Sequence, residues 1–392
     1  MRFWGSYQTS LPTPRRLLWV TNMAAPYRLP VWRELARTYD LTVGLLESNR
    51  SLTSDVTANR GRDWLIGAEE GFRFQEIPGW KYARGDSRYY IVRSLRTLLH
   101  VRQFDIVVFG GWESPAYWQM LLAASLFGAR RVGFYESTIA TRTHHTGPIA
   151  RARSLFFKSM HAVVVPGPAA RESILEVGIP SERIVQGFNA IDVRSFHEAA
   201  ASRDGEFEII PGEQGHRFVL VGRFIELKRF GMVVKSFAAI AGPQDKLSIV
   251  GKGELEAELR LQAETSGCDI EFLPYMKNDR MPALLAQNHT LVLASSKEVW
   301  GLVVNEALAT GLHVVVTENC GVVPSVEGMQ GVFVATGDGS DLAEKMAESR
   351  DAWRGAIRNP AILVHTPEAF ARAFEEGFEL AVHGREDSGA RS

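Results

Sequence analysis

The chain has 392 residues, 45% hydrophobic and 23% charged, proportions that exclude disorder, collagen and coiled coil as its dominant character and, with this length, favour two domains. Two cysteines only, Cys268 and Cys320, exclude a disulfide framework or a zinc module, and neither Met1–Thr13 nor the apolar run Met120–Ala129 has the length of a secretory core or a membrane span, so a cytoplasmic protein that crosses no membrane is expected. The net charge is −1, yet residues 1–200 sum to +8 and the remainder to −9, which points to two domains with different partners.

Short apolar runs alternate with amphipathic stretches along the chain. Strands are expected at Arg16–Val20, Leu41–Leu46, Phe72–Ile77, Asp105–Phe109, Arg131–Tyr135 and Ala162–Val165, with helices at Pro26–Tyr39 and about 86–101, 114–127, 149–159 and 167–177. The basic stretch from Arg142 through His144, His145, Arg151 and Arg153 to Lys158 contains no acid. It reads as a solvated face or as a surface that meets an anionic membrane or acceptor. From Asp192 to Pro211 the composition turns to Ala, Ser, Glu and Gly, as in a linker.

The alternation then restarts, with strands at Phe218–Val221, Leu247–Val250, Ile270–Leu273, Thr290–Leu293, His313–Val316 and Val332–Ala335. Helices are expected near 228–241, 254–265, 278–287, 301–310 and 338–350, and a last one at Pro367–Val382. The fold class is α/β: two Rossmann-like, doubly wound parallel-sheet domains facing a cleft, bounded at 1–205 and 206–365, with residues 366–392 returning to the first domain.

Three strand-to-helix turns of the second domain concentrate chemistry. In Val221-Gly-Arg-Phe-Ile-Glu-Leu-Lys228, Gly222 and Arg223 end a strand and Lys228 begins a helix. Two cations at a strand's carboxyl end suit a diphosphate leaving group, or are an ordinary surface pair. Gly251-x-Gly253 admits the close approach of a nucleotide, but Glu256 stands where a dinucleotide fingerprint has its third glycine, which weakens an NAD-dependent oxidoreductase reading. In the third turn Glu298 and Glu306 flank Gly301, whose following amides can receive phosphate oxygens while the carboxylates accept from hydroxyls. The plainer reading is a helix N-terminal carboxylate and one exposed glutamate.

The segment Glu298-Val-Trp-Gly-Leu-Val-Val-Asn-Glu306-Ala, preceded by Val-Gly-Arg-x(4)-Lys and Val-Gly-x-Gly, resembles the retaining GT-B glycosyltransferases of family 4, which use nucleotide-sugar donors. The resemblance implies that Arg223 and Lys228 hold the diphosphate, Glu306 the ribose and Glu298 the donor sugar. Amides of Gly301, Leu302 and Val303 would complete the phosphate site, and segments near Gly251–Glu254 and Tyr275–Lys277, with Met276 between, would hold the base. It also implies an acceptor in the first domain, no cofactor and no metal; no Asp-x-Asp triplet is present.

The chain departs from that pattern twice. Thr21-Asn-Met-Ala-Ala-Pro-Tyr-Arg28 replaces the glycine-rich first turn, and Glu136 stands where many members have a histidine. Glu136 is a catalytic candidate, or a loop residue paired with an arginine such as Arg142. Glu113 and His144 are candidates for the acceptor side, or a helix N-terminal carboxylate and an exposed loop histidine. The expected function is transfer of a sugar from a nucleoside-diphosphate sugar to a hydroxyl acceptor by front-face displacement, with peripheral membrane contact through the basic half and no nucleic-acid partner. A nucleotide-sugar epimerase and a silent nucleotide-sugar-binding protein are the alternatives.

Overall fold

Runs such as Ile106-Val-Val-Phe109 and Ala162-Val-Val-Val165 are apolar at every position, so they are stable only with both sheet faces covered, as in parallel sheets flanked by helices. The structure, a computed structural model, describes residues 14–47, 71–84, 87–201 and 215–384. The first part contains β1 (Arg16–Thr21), β2 (Asp40–Leu45), β3 (Arg73–Glu76), β4 (Gly79–Arg84), β5 (Ser87–Val92), β6 (Ile106–Phe109), β7 (Arg130–Phe134), β8 (Ala162–Val165) and β9 (Ile184–Gln186). The second contains β10 (Arg217–Arg223), β11 (Lys246–Lys252), β12 (Asp269–Leu273), β13 (Thr290–Leu293), β14 (His313–Thr317) and β15 (Val332–Ala335).

These form a seven-stranded parallel sheet in the order β3-β2-β1-β6-β7-β8-β9 and a six-stranded one in the order β12-β11-β10-β13-β14-β15. Both orders reverse direction once, at β1/β6 and at β10/β13, and the crevice outside the strands' carboxyl ends at such a reversal is where doubly wound sheets take ligands. The two Rossmann-like domains expected from the alternation are therefore present.

Besides the short strand β9 and the short helix Val323–Val326, which the alternation does not mark, local structure differs from expectation in two places. Residues 87–92 are not helical: β5 pairs with β4 as an antiparallel hairpin, and the helix is confined to Leu95–His100. Tyr89-Tyr-Ile-Val92 is aromatic and β-branched, which favours a strand over a helix. The stretch read as a linker begins with the helix Val193–Ala201; residues 202–214 lie outside the described part.

The C-terminal helix Pro367–His383 is capped by Thr366, whose Oγ1 accepts from the Ala369 amide at 3.3 Å. Its Phe370, Phe374 and Phe378 recur every four residues, so they share one face. That face lies on the first sheet, Phe374 at 4.7 Å from the Trp19 ring and Phe378 at 5.2 Å from Tyr39. Each buried ring is worth roughly 1.5–3 kcal/mol of transfer free energy, so the first domain's core is completed by the end of the chain.

Candidate active site

The glycines that close the first two turns are required within the chain itself. At the ends of the paired β10 and β11, Gly222 stands opposite Gly251, and Gly251 has φ +143°, where a Cβ would come 1.9 Å from the Gly222 carbonyl oxygen. Phe224 and Lys252 then join the two loops through a backbone hydrogen bond of 3.0 Å. Gly251 and Gly253 thus let backbone approach backbone, a tighter demand than the approach of a nucleotide.

Arg223, the last residue of β10, is exposed and has no acidic partner among the described residues. The loop after β13 is tied to the loop after β10 where the Ser296 amide donates to the Leu227 carbonyl at 2.9 Å. That tie brings Lys228 onto Glu298: Lys228 Nζ donates to Glu298 Oε2, which also accepts from Ser295 Oγ at 3.3 Å. The loop after β14 closes the other side, the Gly321 amide donating to the Glu298 carbonyl at 3.0 Å.

Gly301, with φ +102°, caps the helix Leu302–Ala309 without a side-chain cap, so the amides that follow it are free to bind anionic oxygens. Glu306 lies in the second turn of that helix, and its carboxylate has no partner among the described residues. Burial pushes its pKa up to about 7. On the far side, Lys252 Nζ lies 5.9 Å from the centre of the half-exposed Tyr275 ring, and Met276 packs into the domain core. The structure therefore gathers Arg223, Lys228, Glu298, Gly301 to Val303 and Glu306 at the carboxyl ends of β10 and β13. Cys320, beneath them, is buried with its thiol pushed up to about 12, an inert state.

In the first domain Glu136 follows β7. It pairs with Arg28 at 2.5 Å, not with Arg142, whose guanidinium instead donates to Glu176 and to the Ser173 carbonyl. The reason is the first turn: Pro26-Tyr-Arg28 is a single 3-10 turn that lays the Arg28 guanidinium 4.1 Å over the Phe134 ring, beside Glu136. A cavity of about 240 Å³ opens there, lined by Thr21, Asn22, Tyr27, Arg28, Gly110 and Glu136 among others. Arg28 Nη1 is buried with no partner among the described residues.

Glu113 is exposed and accepts from the Trp112 amide at 3.1 Å. His144 is exposed, and its carbonyl accepts from Arg153, whose guanidinium also lies 5.1 Å over Trp112. Arg153 thus holds the loops of Trp112 and His144 together. Arg142 and Arg153, counted in the basic stretch, are buried structural residues and not surface charges.

The domains meet through residues inside the same motif. Trp300 stacks edge-on against Phe188 at 5.1 Å and donates from Nε1 to Asn305 at 3.1 Å. Asn305 donates in turn to the Asn189 carbonyl at 2.7 Å, and Gly321 abuts Thr138, two residues beyond Glu136.

Two family models tile these domains: Glycosyltransferase Family 4 matches residues 27–195 and Glycosyl transferases group 1 matches residues 206–351. The chain belongs to the GT-B glycosyltransferases. The glycosyltransferase is 28% identical to the N-acetyl-alpha-D-glucosaminyl L-malate synthase of Bacillus anthracis over 169 residues, 42% of this chain and 44% of that protein. It is 24% identical to the sulfoquinovosyl transferase SQD2 of Arabidopsis thaliana over 243 residues, 56% of this chain and 47% of that protein. These matches span about half the length of the relatives. Its fold matches Anabaena HepE in complex with UDP at a TM-score of 0.65 and 15% identity, covering 93% of this chain and 95% of that one.

Arg28, Trp300 and Asn305 are the residues of this site that sequence reasoning did not single out. For Arg28 a signal existed, a cation in the first strand-to-helix turn; Trp300 and Asn305 were visible as motif positions without a role. Among the described residues no three His, Cys, Asp or Glu side chains come together to hold a metal ion, and no helix is long and apolar enough to cross a membrane.

Proposed function

We propose that this glycosyltransferase transfers a sugar from a nucleoside-diphosphate sugar to a hydroxyl of a glycan, lipid-linked or small-molecule acceptor, with retention of configuration and without a metal ion. The observation that carries the reading is the polarity of one crevice, which brings together two cations, the free amides after Gly301 and two carboxylates, Glu298 and Glu306. That combination suits an anionic diphosphate with a hydroxyl-bearing sugar at each end.

In this reading Glu306 accepts from the ribose hydroxyls and Arg223 and the amides after Gly301 receive the diphosphate. Lys228 has three N–H donors, so it can hold Glu298 and a phosphate oxygen together, fixing Glu298 beneath the donor sugar. As the bond from the anomeric carbon to the diphosphate oxygen breaks, the departing charge is met by Arg223, Lys228 and the helix amides. The acceptor oxygen bonds to the anomeric carbon on the face being vacated and gives its proton to the leaving phosphate oxygen. The acceptor enters by the cavity beside Arg28 and Glu136, with the loops of Glu113 and His144 bordering the wider acceptor site. A cytoplasmic location with the first domain against the inner face of a membrane belongs to the same reading.

Calorimetry with UDP, GDP, ADP and dTDP, followed by incubation with the corresponding sugars with and without EDTA, tests it. UDP is tried first because HepE was crystallised with it. The expected result is one tight nucleotide and a glycoside with the donor's anomeric configuration, formed equally in EDTA. An inverted product, a strict need for added metal, or an epimerised sugar nucleotide with no glycoside would refute it.

A further inference from the structure

One side of the first domain is covered by the hairpin of β4 and β5 and by the helices Leu95–His100, Pro115–Leu126 and Gly147–Lys158. They form a continuous surface: Gln119 of the second helix bonds the Val92 amide of β5 at 2.7 Å, and its Trp118 meets Phe156 of the third at 5.2 Å. None of these five elements contains an aspartate or glutamate, while together they carry Lys81, Arg84, Arg88, Arg96, Arg151, Arg153 and Lys158. Arg88 is paired with the buried Glu47 and Arg153 is buried. Arg93, Arg96, Arg151 and Lys158 are exposed and have no acidic partner among the described residues.

Among the described residues, every exposed large apolar side chain of this domain lies on the same elements or at their ends. On the hairpin, the register pairs Trp80 with Ile91 and Tyr82 with Tyr89 on the outward face, with Trp80 61% exposed. Tyr90 and Val92 point inward and are buried. Leu95, Leu99, Leu122 and Leu155 continue the outward surface along the helices. Such a surface, rimmed by unpaired cations, is larger than isolated exposed leucines require.

We propose that this face docks on an anionic phospholipid membrane, with Trp80 and Tyr82 at the level of the headgroups, the leucines below them, and Arg93, Arg96, Arg151 and Lys158 against lipid phosphates. The commitment to lipid rests on charge. A second copy of this face would bring its unpaired cations together, whereas an anionic surface neutralises them, and Trp and Tyr favour the membrane interface. The helices Pro115–Leu126 and Gly147–Lys158 begin at the loops of Glu113 and His144, so docking would bring those loops to the membrane. Membrane contact is part of the functional reading above, which this proposal deepens by naming the face; the role of those loops rests on that reading, whereas the docking is argued from the face itself.

Flotation of the full chain with phosphatidylcholine vesicles, with and without phosphatidylglycerol, at low and high salt, tests the proposal. Free nucleotide binding is measured in parallel. The wild type is expected to float with the anionic vesicles at low salt and to be released by high salt. Trp80→Ser with Tyr82→Ser, and Arg93→Glu with Arg96→Glu, should each lower partitioning at least about tenfold and leave nucleotide binding unchanged, while Arg37→Glu on the opposite side should lower it little. No flotation of the wild type, or equal flotation of all the variants, overturns the proposal. So does a dimer in sedimentation velocity that the variants disperse without any vesicle binding, which would assign the face to a second copy. Loss of nucleotide binding by the wild type would count against the transferase reading and leave the vesicle result standing.

Discussion

Lys228 and Glu298 neutralise each other, whereas Glu306 has no cation, and that difference separates the roles of the two glutamates. Glu306→Ala should weaken binding of the free nucleoside diphosphate severalfold or more, while Glu298→Ala should spare it and reduce transfer; calorimetry and turnover on the same variants would show this. Burial raises the Glu306 pKa to about 7, so between the unfolded carboxylate pKa and that value the folded chain holds a proton that a hydroxyl-donating ligand displaces. Affinity for the free nucleoside, which carries no titrating phosphate, should therefore rise with pH up to about 7 and then level, and Glu306→Gln should abolish the slope. Loss of a charge-assisted contact to a leaving diphosphate costs about 3 kcal/mol in the transition state, so Arg223→Ala and Lys228→Ala should each lower turnover roughly a hundredfold, with thermal unfolding little changed for Arg223→Ala because its side chain is exposed.

At the scale of elements, the strands that carry the site at their carboxyl ends carry a histidine box at their amino ends. His216 precedes β10, His289 precedes β13 and His313 opens β14, packed around Trp353. His216 Nε2 bonds Thr290 at 2.8 Å, and Thr290 bonds Ser349 at 2.8 Å. Burial depresses His216 to about 2 and His289 to about 4, and all three rings are lowered; Arg217 and Arg350 add repulsion, and for His289 Asp245 partly offsets it. A histidine depressed in the fold favours the neutral chain. Its contribution is complete above the unfolded value of about 6.5 and is lost as pH falls below it. Each buried ring should cost on the order of 1 kcal/mol per pH unit below that value. Urea unfolding at pH 7.5 and pH 5.5 should show the drop, and His289→Gln should reduce it.

For the whole molecule, the cleft angle is held by Trp300 against Phe188 and by Asn305 bonding Asn189. Asn305→Ala leaves a buried carbonyl and an indole N–H unpaired, a loss of about 1–3 kcal/mol. Since Lys228, Glu298 and Glu306 all lie on the second domain, Asn305→Ala and Trp300→Ala should lower turnover tenfold or more while changing nucleotide affinity less than threefold. X-ray scattering should show a wider cleft. The same scale explains the C-terminal helix, whose three phenylalanines complete the first core. A chain ended at Pro360 should express as aggregate, its Trp19 and Phe134 uncovered.

The alternation of apolar runs determined two parallel α/β domains, because strands buried on both faces leave a signal of period and composition that no neighbour can alter. The candidate residues of the second domain were legible for the same reason: Arg223 and Lys228 follow β10 while Glu298, Gly301 and Glu306 follow β13, its neighbour in the sheet, and parallel topology brings all such turns to one edge. Three things were decided only by tertiary structure. Tyr89-Tyr-Ile-Val92 became a strand because Tyr90 could bury against the Pro115–Leu126 side and bond Glu47. Glu136 took Arg28, distant in sequence, over the nearer Arg142, because β7 ends beside the turn that follows β1, two strands away in the sheet. Trp300 and Asn305 became a domain contact because a polar side chain within a helix takes its meaning from whatever packs against it, and the local sequence carries no record of that partner.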